Sequence, residues 1–129
     1  MAGTAILLDT HALLWWATND RSLSRKVKRL VAEESSRVIV SAASAWEIAT
    51  KVRLGKLTWT GRESIESYCR GQCFEFLPVT CAHGERAGSW PASHVDPFDR
   101  LLAAQSAIES VPLATNDPKI DAFGIDILW

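Results

Sequence analysis

The sequence predicts an α/β fold with a central, mainly parallel sheet. Short apolar runs recur along the chain: AILL at 5–8, RVIV at 37–40, FEFLPV at 74–79 and VPLAT at 111–115. Segments with helical periodicity separate them, and strands alternating with helices are the pattern of parallel sheets. AILL and VIV are continuously apolar rather than alternating, as expected for strands covered on both faces.

AILL ends at Asp9, and residues 11–18 read as a helix carrying Leu13, Leu14, Trp15 and Trp16. Residues 22–34 predict an amphipathic helix, with Val27, Leu30 and Val31 opposite Arg25, Lys26, Lys28 and Arg29. After RVIV, residues 41–54 predict a helix with Ala45, Ile48, Ala49 and Val52 on one face, stopped by Gly55. A further helix is expected over 62–70, then a strand over 74–79 ended by Pro78, and a short helix over 81–90. Residues 97–110 predict a helix with Asp96 as N-cap and Pro97 at its first position. A strand over 111–115, a turn or short helix over 117–123 and a last strand over 125–129 complete the reading.

The 129 residues fit one domain spanning 1–129. Hydrophobic residues make up 47% and charged residues 22%, ordinary values for a globular protein. A chain of this length needs no disulfide or metal to fold, so a metal here would serve function. The net charge of −1 gives no overall nucleic-acid signal, so any RNA must be held by local clusters. Arg21, Arg25, Lys26, Lys28 and Arg29 form the densest basic stretch, and Lys51, Arg53 and Lys56 a second. Cys69, Cys73 and Cys81 are an odd set without zinc-type pairing, which predicts reduced thiols in a cytoplasmic protein. Cys69 and Cys73 lie one helical turn apart and read as small buried hydrophobes. No apolar run reaches the ~20 residues that span a membrane. MAGTAILLDTH lacks the features of a signal peptide.

Ligands in such folds bind outside the carboxyl ends of the strands. Asp9 follows the first strand, and Asp117 follows Ala114–Thr115. Asp99 lies in the first turn of the helix leading to that strand, and Glu47 on the helix after RVIV, on a face different from Ala45, Ile48 and Ala49. Carboxylates brought within a few ångströms repel unless protonated or bound to a cation. Oxygen-only clusters suit Mg²⁺ or Mn²⁺. Each residue also has a plainer explanation. Asp9 and Asp99 can serve helix starts, Glu47 can pair with Lys51 at i, i+4, and Asn116-Asp117-Pro118 is good turn chemistry.

LLDTHALLWW (7–16), SAWEIATKVRLGKL (44–57), HVDPFDRLLAAQSA (94–107) and LATND (113–117) together resemble the successive motifs of PIN-domain toxins of the VapC type. The resemblance runs from Ile6 to Trp129. It implies a PIN-like three-layer α/β/α sandwich and a Mg²⁺- or Mn²⁺-dependent endoribonuclease that hydrolyses RNA through metal-activated water. The family's four acids fall on Asp9, Glu47, Asp99 and Asp117 as catalytic and metal-binding residues. Thr10 and Thr115 match hydroxyl-bearing neighbours, with Asn116, Asp96 and Arg100 in support. Asp96 has two readings, a residue near the metal or merely the cap of its helix, and the cap is the favoured one. Arg100 has two open readings, a phosphate contact or an ion pair with Asp96. No His–His or His–Lys pair suggests a route through the ribose 2′-OH. His11 and His83 read as surface or packing residues, and His94 as a loop residue beside the site.

The resemblance further implies a cognate antitoxin that covers apolar grooves, toxin homodimers and higher toxin–antitoxin assemblies, in the cytoplasm and without a membrane. Trp15 and Trp16 are adjacent, so one is expected to be partly exposed; Trp59 and Trp90 are further interface candidates. A receiver domain is disfavoured because no Lys ends the late strand, and a Rossmann dehydrogenase because Asp9-Thr10-His11 replaces the glycine-rich turn. An RNA-maturation nuclease without an antitoxin and a degenerate binding module are the remaining alternatives.

Overall fold

A computed structural model describes residues 3–59 and 63–129. The chain begins with β1 (Ala5–Leu8), α1 (Thr10–Thr18), α2 (Arg25–Ala32), β2 (Arg37–Ser41) and α3 (Ala42–Arg53). It continues with α4 (Ile65–Gly71), β3 (Glu75–Leu77), α5 (Cys81–Ser89) and α6 (Pro97–Glu109). β4 (Leu113–Ala114), a 3₁₀ helix (Pro118–Phe123) and β5 (Ile127–Leu128) follow. The sheet order is β3-β2-β1-β4-β5, and every pairing is parallel.

β1 is central, and its residues show why the sequence run was apolar on both sides. Ile6 and Leu8 join a core with Leu13, Val27, Val31, Val40, Ile48 and Cys69 on one face. Leu7 joins Ile39, Leu102, Ala103, Leu113 and Ile120 on the other. The result is the expected α/β/α layering. Burying each of the β1 side chains contributes about 1.5–3 kcal/mol, so this strand anchors both layers.

Several boundaries are shorter than expected, for local reasons. α2 starts at Arg25, not residue 22, because Ser24 caps it by accepting from Val27 N–H at 3.1 Å. α3 ends as predicted, with Gly55 at φ +72°. Gly55 N–H donates to Val52 at 3.0 Å and Lys56 N–H to Lys51 at 2.9 Å, the paired bonds of a Schellman end. The expected helix over 62–70 starts at Ile65 behind the cap Ser64; Arg62 lies outside the described residues. β3 covers only Glu75–Leu77 and β4 only Leu113–Ala114.

Two packing expectations fail. The buried face of α3 is Ala43, Ser44, Glu47 and Ile48, while Val52 is exposed. The apolar stripe therefore misjudged the face, because a polar pair occupies the inner side. Cys69 is buried, but Cys73 lies beyond the end of α4, exposed and at φ +62°. Burial pushes the Cys69 thiol up to about 11.

Candidate active site

The strand order reverses between β1 and β4, since β2 and β3 lie on one side of β1 and β4 and β5 on the other. A crevice opens at such a switch point beyond the carboxyl ends of the strands. Asp9 stands at the end of β1, and Thr115–Asp117 follow β4. The first residues of α6 face the same crevice. A cleft of about 490 Å³ results, lined by Asp9, Glu47, Asp99 and Asp117 together with His11, Lys51, His94, Asp96, Asn116 and Lys119. The four acids expected from the sequence thus line one cleft, and of the four only Asp99 and Asp117 bring ligand atoms within 4.8 Å of each other and of a third group, His94, among the described residues. The densest basic stretch, Arg21 to Arg29, contributes nothing to this lining.

Asp9 is only 8% exposed. Its Oδ1 accepts from Ala12 N–H at 2.7 Å, so it caps α1 as well as lining the cleft. Burial raises its carboxyl to about 6, against opposing hydrogen bonds from Thr115 and the Ala12 amide. His11 opposes that rise, and the Asp99 charge adds to it. Asp99 is raised too, first by burial; the His94 hydrogen bond opposes, and the charges of Asp96 and Glu47 reinforce. Asp9 therefore feels Asp99, and Asp99 feels Asp96 and Glu47.

Glu47 is 3% exposed and has local support. The Thr10 hydroxyl donates to its Oε1 at 2.5 Å and lies 3.1 Å from Ser44 Oγ. Lys51 Nζ meets Oε2 at 2.6 Å. The i, i+4 pairing and the site position are both real, so neither sequence reading of Glu47 excludes the other.

Asp117 Oδ1 accepts from Lys119 N–H at 2.9 Å, and its own amide donates to Thr115 Oγ1 at 3.2 Å. Asn116 is exposed on the rim. Asp96 is the cap it was expected to be, accepting from Phe98 and Asp99 amides at 2.9 and 3.2 Å. Arg100 forms no ion pair with Asp96 among the described residues: its guanidinium donates to the carbonyls of Ala87, Trp90, Ala92 and His94.

Sequence reasoning undervalued His94. Its Nε2 lies 2.8 Å from Asp99 Oδ2. One potential ligand atom from each of His94, Asp99 and Asp117 lies within 4.8 Å of the others. The signal was its position five residues before Asp99 in one short run, with the Asp96 turn folding the chain back between them. His11 also lines the cleft, so two histidines are present where no pair was expected. His83 is fully buried elsewhere, accepting from Thr80 N–H and bonding Glu109. Trp15, Trp16, Trp59 and Trp90 are all half-buried, and the tryptophan that protrudes is Trp46, 56% exposed, packed edge-on against Phe98.

A donor set of converging carboxylates, two of them raised by burial and mutual charge, is the chemistry that a hard divalent cation relieves. Beyond His94 and Lys119 the cleft continues into a second trench of about 350 Å³, lined also by Ser93, Val95, Pro118 and Ala122.

Residues 6–125 match the sequence profile of the PIN domain. No curated protein matches the chain by sequence. Its fold is similar to that of VapBC2 from Rickettsia felis, a structure bound to a promoter DNA fragment, with 12% identity, TM-score 0.65 and 97% and 98% of the two chains covered. FitAcB from Neisseria gonorrhoeae is similar at 20% identity and TM-score 0.63, with 96% of each chain covered. VapBC-1 from nontypeable Haemophilus influenzae is similar at 14% identity and TM-score 0.63, with 97% of each covered.

Proposed function

The chain belongs to the PIN-domain family, and on that premise we propose that it is a Mg²⁺- or Mn²⁺-dependent endoribonuclease, the toxin of a type II toxin–antitoxin pair. The observation that carries the reading is the convergence of Asp9, Glu47, Asp99 and Asp117 on one cleft at the switch point of the sheet. Asp9, Glu47 and Asp99 would hold the cation, with Asp117 in support. A bound divalent cation supplies an activated water and neutralises charge on the scissile phosphate.

The chain's own residues do the rest. Thr10 and Lys51 fix Glu47 from two sides. Thr115 supports Asp9, and its hydroxyl also receives the Asp117 amide, tying the ends of β1 and β4 together. Lys119 stands where the cleft meets the second trench, in reach of a flanking phosphate of the bound strand.

Two of the fold neighbours are VapBC2 and VapBC-1, and another is a toxin–antitoxin complex from Klebsiella pneumoniae; this supports an antitoxin partner for the present chain. Exposed Trp46 and Leu54 offer apolar surface for that partner or for a second copy in a homodimer. No helix among the described residues is long and apolar enough to cross a membrane, in keeping with action in the cytoplasm.

The test is cleavage of an RNA pool by purified protein with and without Mn²⁺, for wild type and Asp9→Asn. Cleavage by wild type only, only with Mn²⁺, leaving 5′-phosphate and 3′-hydroxyl ends, is expected. Equal cleavage by Asp9→Asn overturns the site assignment. Cyclic 2′,3′-phosphate ends overturn the hydrolytic reading and point instead to the two cleft histidines.

A further inference from the structure

We infer that His94 is a positioning residue for Asp99, and that Arg100 is the staple that puts it in place. The inference rests on the proposed function above and names how one of its ligands is held.

Residues 90–96 belong to no helix or strand. A segment without its own hydrogen-bond ladder needs other partners to hold a fixed course. Arg100 supplies them from the first turns of α6. Nε donates to Ala87 O at 2.7 Å, Nη2 to Trp90 O at 2.5 Å, and Nη1 to Ala92 O at 2.9 Å and His94 O at 2.6 Å. The guanidinium thus gathers the end of α5 and the following loop around a single planar fork. It also lies over the Phe123 ring, 5.8 Å from the centroid.

Among the described residues Arg100 pairs with no carboxylate, although Asp96 and Asp99 are its near neighbours in sequence. An arginine so placed is committed to backbone shape, not to charge balance.

That shape determines where the imidazole sits. The His94 carbonyl is pinned by Nη1, and the His94 ring packs edge-on against the same Phe123, with centroids 5.9 Å apart at 78°. Backbone and ring are therefore held by two independent contacts. From there Nε2 reaches Asp99 Oδ2 at 2.8 Å. No other side-chain hydrogen bond to the Asp99 carboxylate is present among the described residues. His94 fixes the plane of the carboxylate through one oxygen and leaves the other for a cation. Partners of this kind, behind a ligating group, are typically worth 10–100-fold in metal affinity.

Two measurements test the inference. The first needs no metal: long-range ¹H–¹⁵N spectra of the apo protein report the His94 tautomer. A proton fixed on Nε2 in wild type, released to mixed tautomers in Asp99→Ala, is expected; an unchanged His94 spectrum overturns the contact. The second is Mn²⁺ affinity by electron paramagnetic resonance, with melting temperature recorded for every variant. His94→Ala should weaken Mn²⁺ about 10-fold or more while its melting temperature stays within a few degrees of wild type. His94→Gln, which keeps a donor, should recover part of the loss.

Arg100→Lys should weaken binding similarly, and the double variant His94→Ala/Arg100→Lys should be no worse than His94→Ala alone, because both act through one contact. Mn²⁺ affinity of His94→Ala within twofold of wild type, or additive losses in the double variant, overturns the proposal. Failure of wild type to bind Mn²⁺ would sink the cation reading itself, and the tautomer measurement still decides the His94 contact.

Discussion

At the amino edge of the sheet, Glu75 of β3 faces Arg37 of β2, and the guanidinium grips it with two bonds of 2.9 Å. At the carboxyl edge, buried Asp9 lines a cleft with Asp99, whose charge acts on it. The consequences have opposite signs. The Arg37 hydrogen bond holds the Glu75 carboxyl below its ordinary range. Burial and neighbouring acids push Asp9 and Asp99 above theirs. A carboxylate is satisfied by the protein at one edge of the sheet and left to want a cation at the other. Natural chains accept such local conflict where function demands it.

The sharpest way to break the comparison is to neutralise one acid at each edge. Asp9→Asn should reduce Mn²⁺-dependent RNA cleavage about a thousandfold or more. It should also raise the unfolding free energy of the metal-free protein at pH 8 by about 1–3 kcal/mol, because Asn caps a helix as well as Asp does and removes a buried charge. Urea unfolding checks this, and a destabilised variant would refute the account of Asp9.

The pH dependence sharpens the same point. Asp9 titrates at about 6 in the folded protein, above its ordinary 3.8. The folded state therefore binds this proton more tightly than the unfolded state does. The associated stability is complete below about pH 4 and is lost as pH rises through about 6. It amounts to about 2–3 kcal/mol, and the raised Asp99 acts in the same direction. Unfolding curves of wild type against Asp9→Asn should diverge between pH 4 and 7 without metal, and saturating Mn²⁺ should stabilise wild type more than Asp9→Asn.

A smaller effect is expected from Lys51→Gln, which strips Glu47 of its only ion-pair partner among the described residues. The loss should be about 1–2 kcal/mol without metal and less with Mn²⁺, where the cation takes over. Smallest of all, Arg37→Gln should cost less than about 1 kcal/mol, since the pair is exposed, and should leave Mn²⁺ binding unchanged.

Much of this was legible in the sequence because each site acid sits beside an element with a clear local signal. Asp9 ends an apolar run, and Asp99 follows an unmistakable Asp96-Pro97 helix start. The parallel sheet was legible for the same reason, through β1 and β2. The inner face of α3 was not legible, because Ser44 and Glu47 break the apolar stripe that marks a buried side. Their burial depends on Thr10, 34 and 37 residues away, which no local pattern reveals. The backbone role of Arg100 was not legible for a related reason. Its partners are backbone carbonyls, which carry no residue identity, so charge alone left a phosphate or Asp96 as its readings.

Anomalous diffraction from Mn²⁺-soaked crystals reaches the central claim most directly. The account predicts a manganese peak in the cleft, contacted by the carboxylates of Asp9 and Asp99. A cleft without manganese at saturating concentration, or an ion bound only elsewhere, would contradict it.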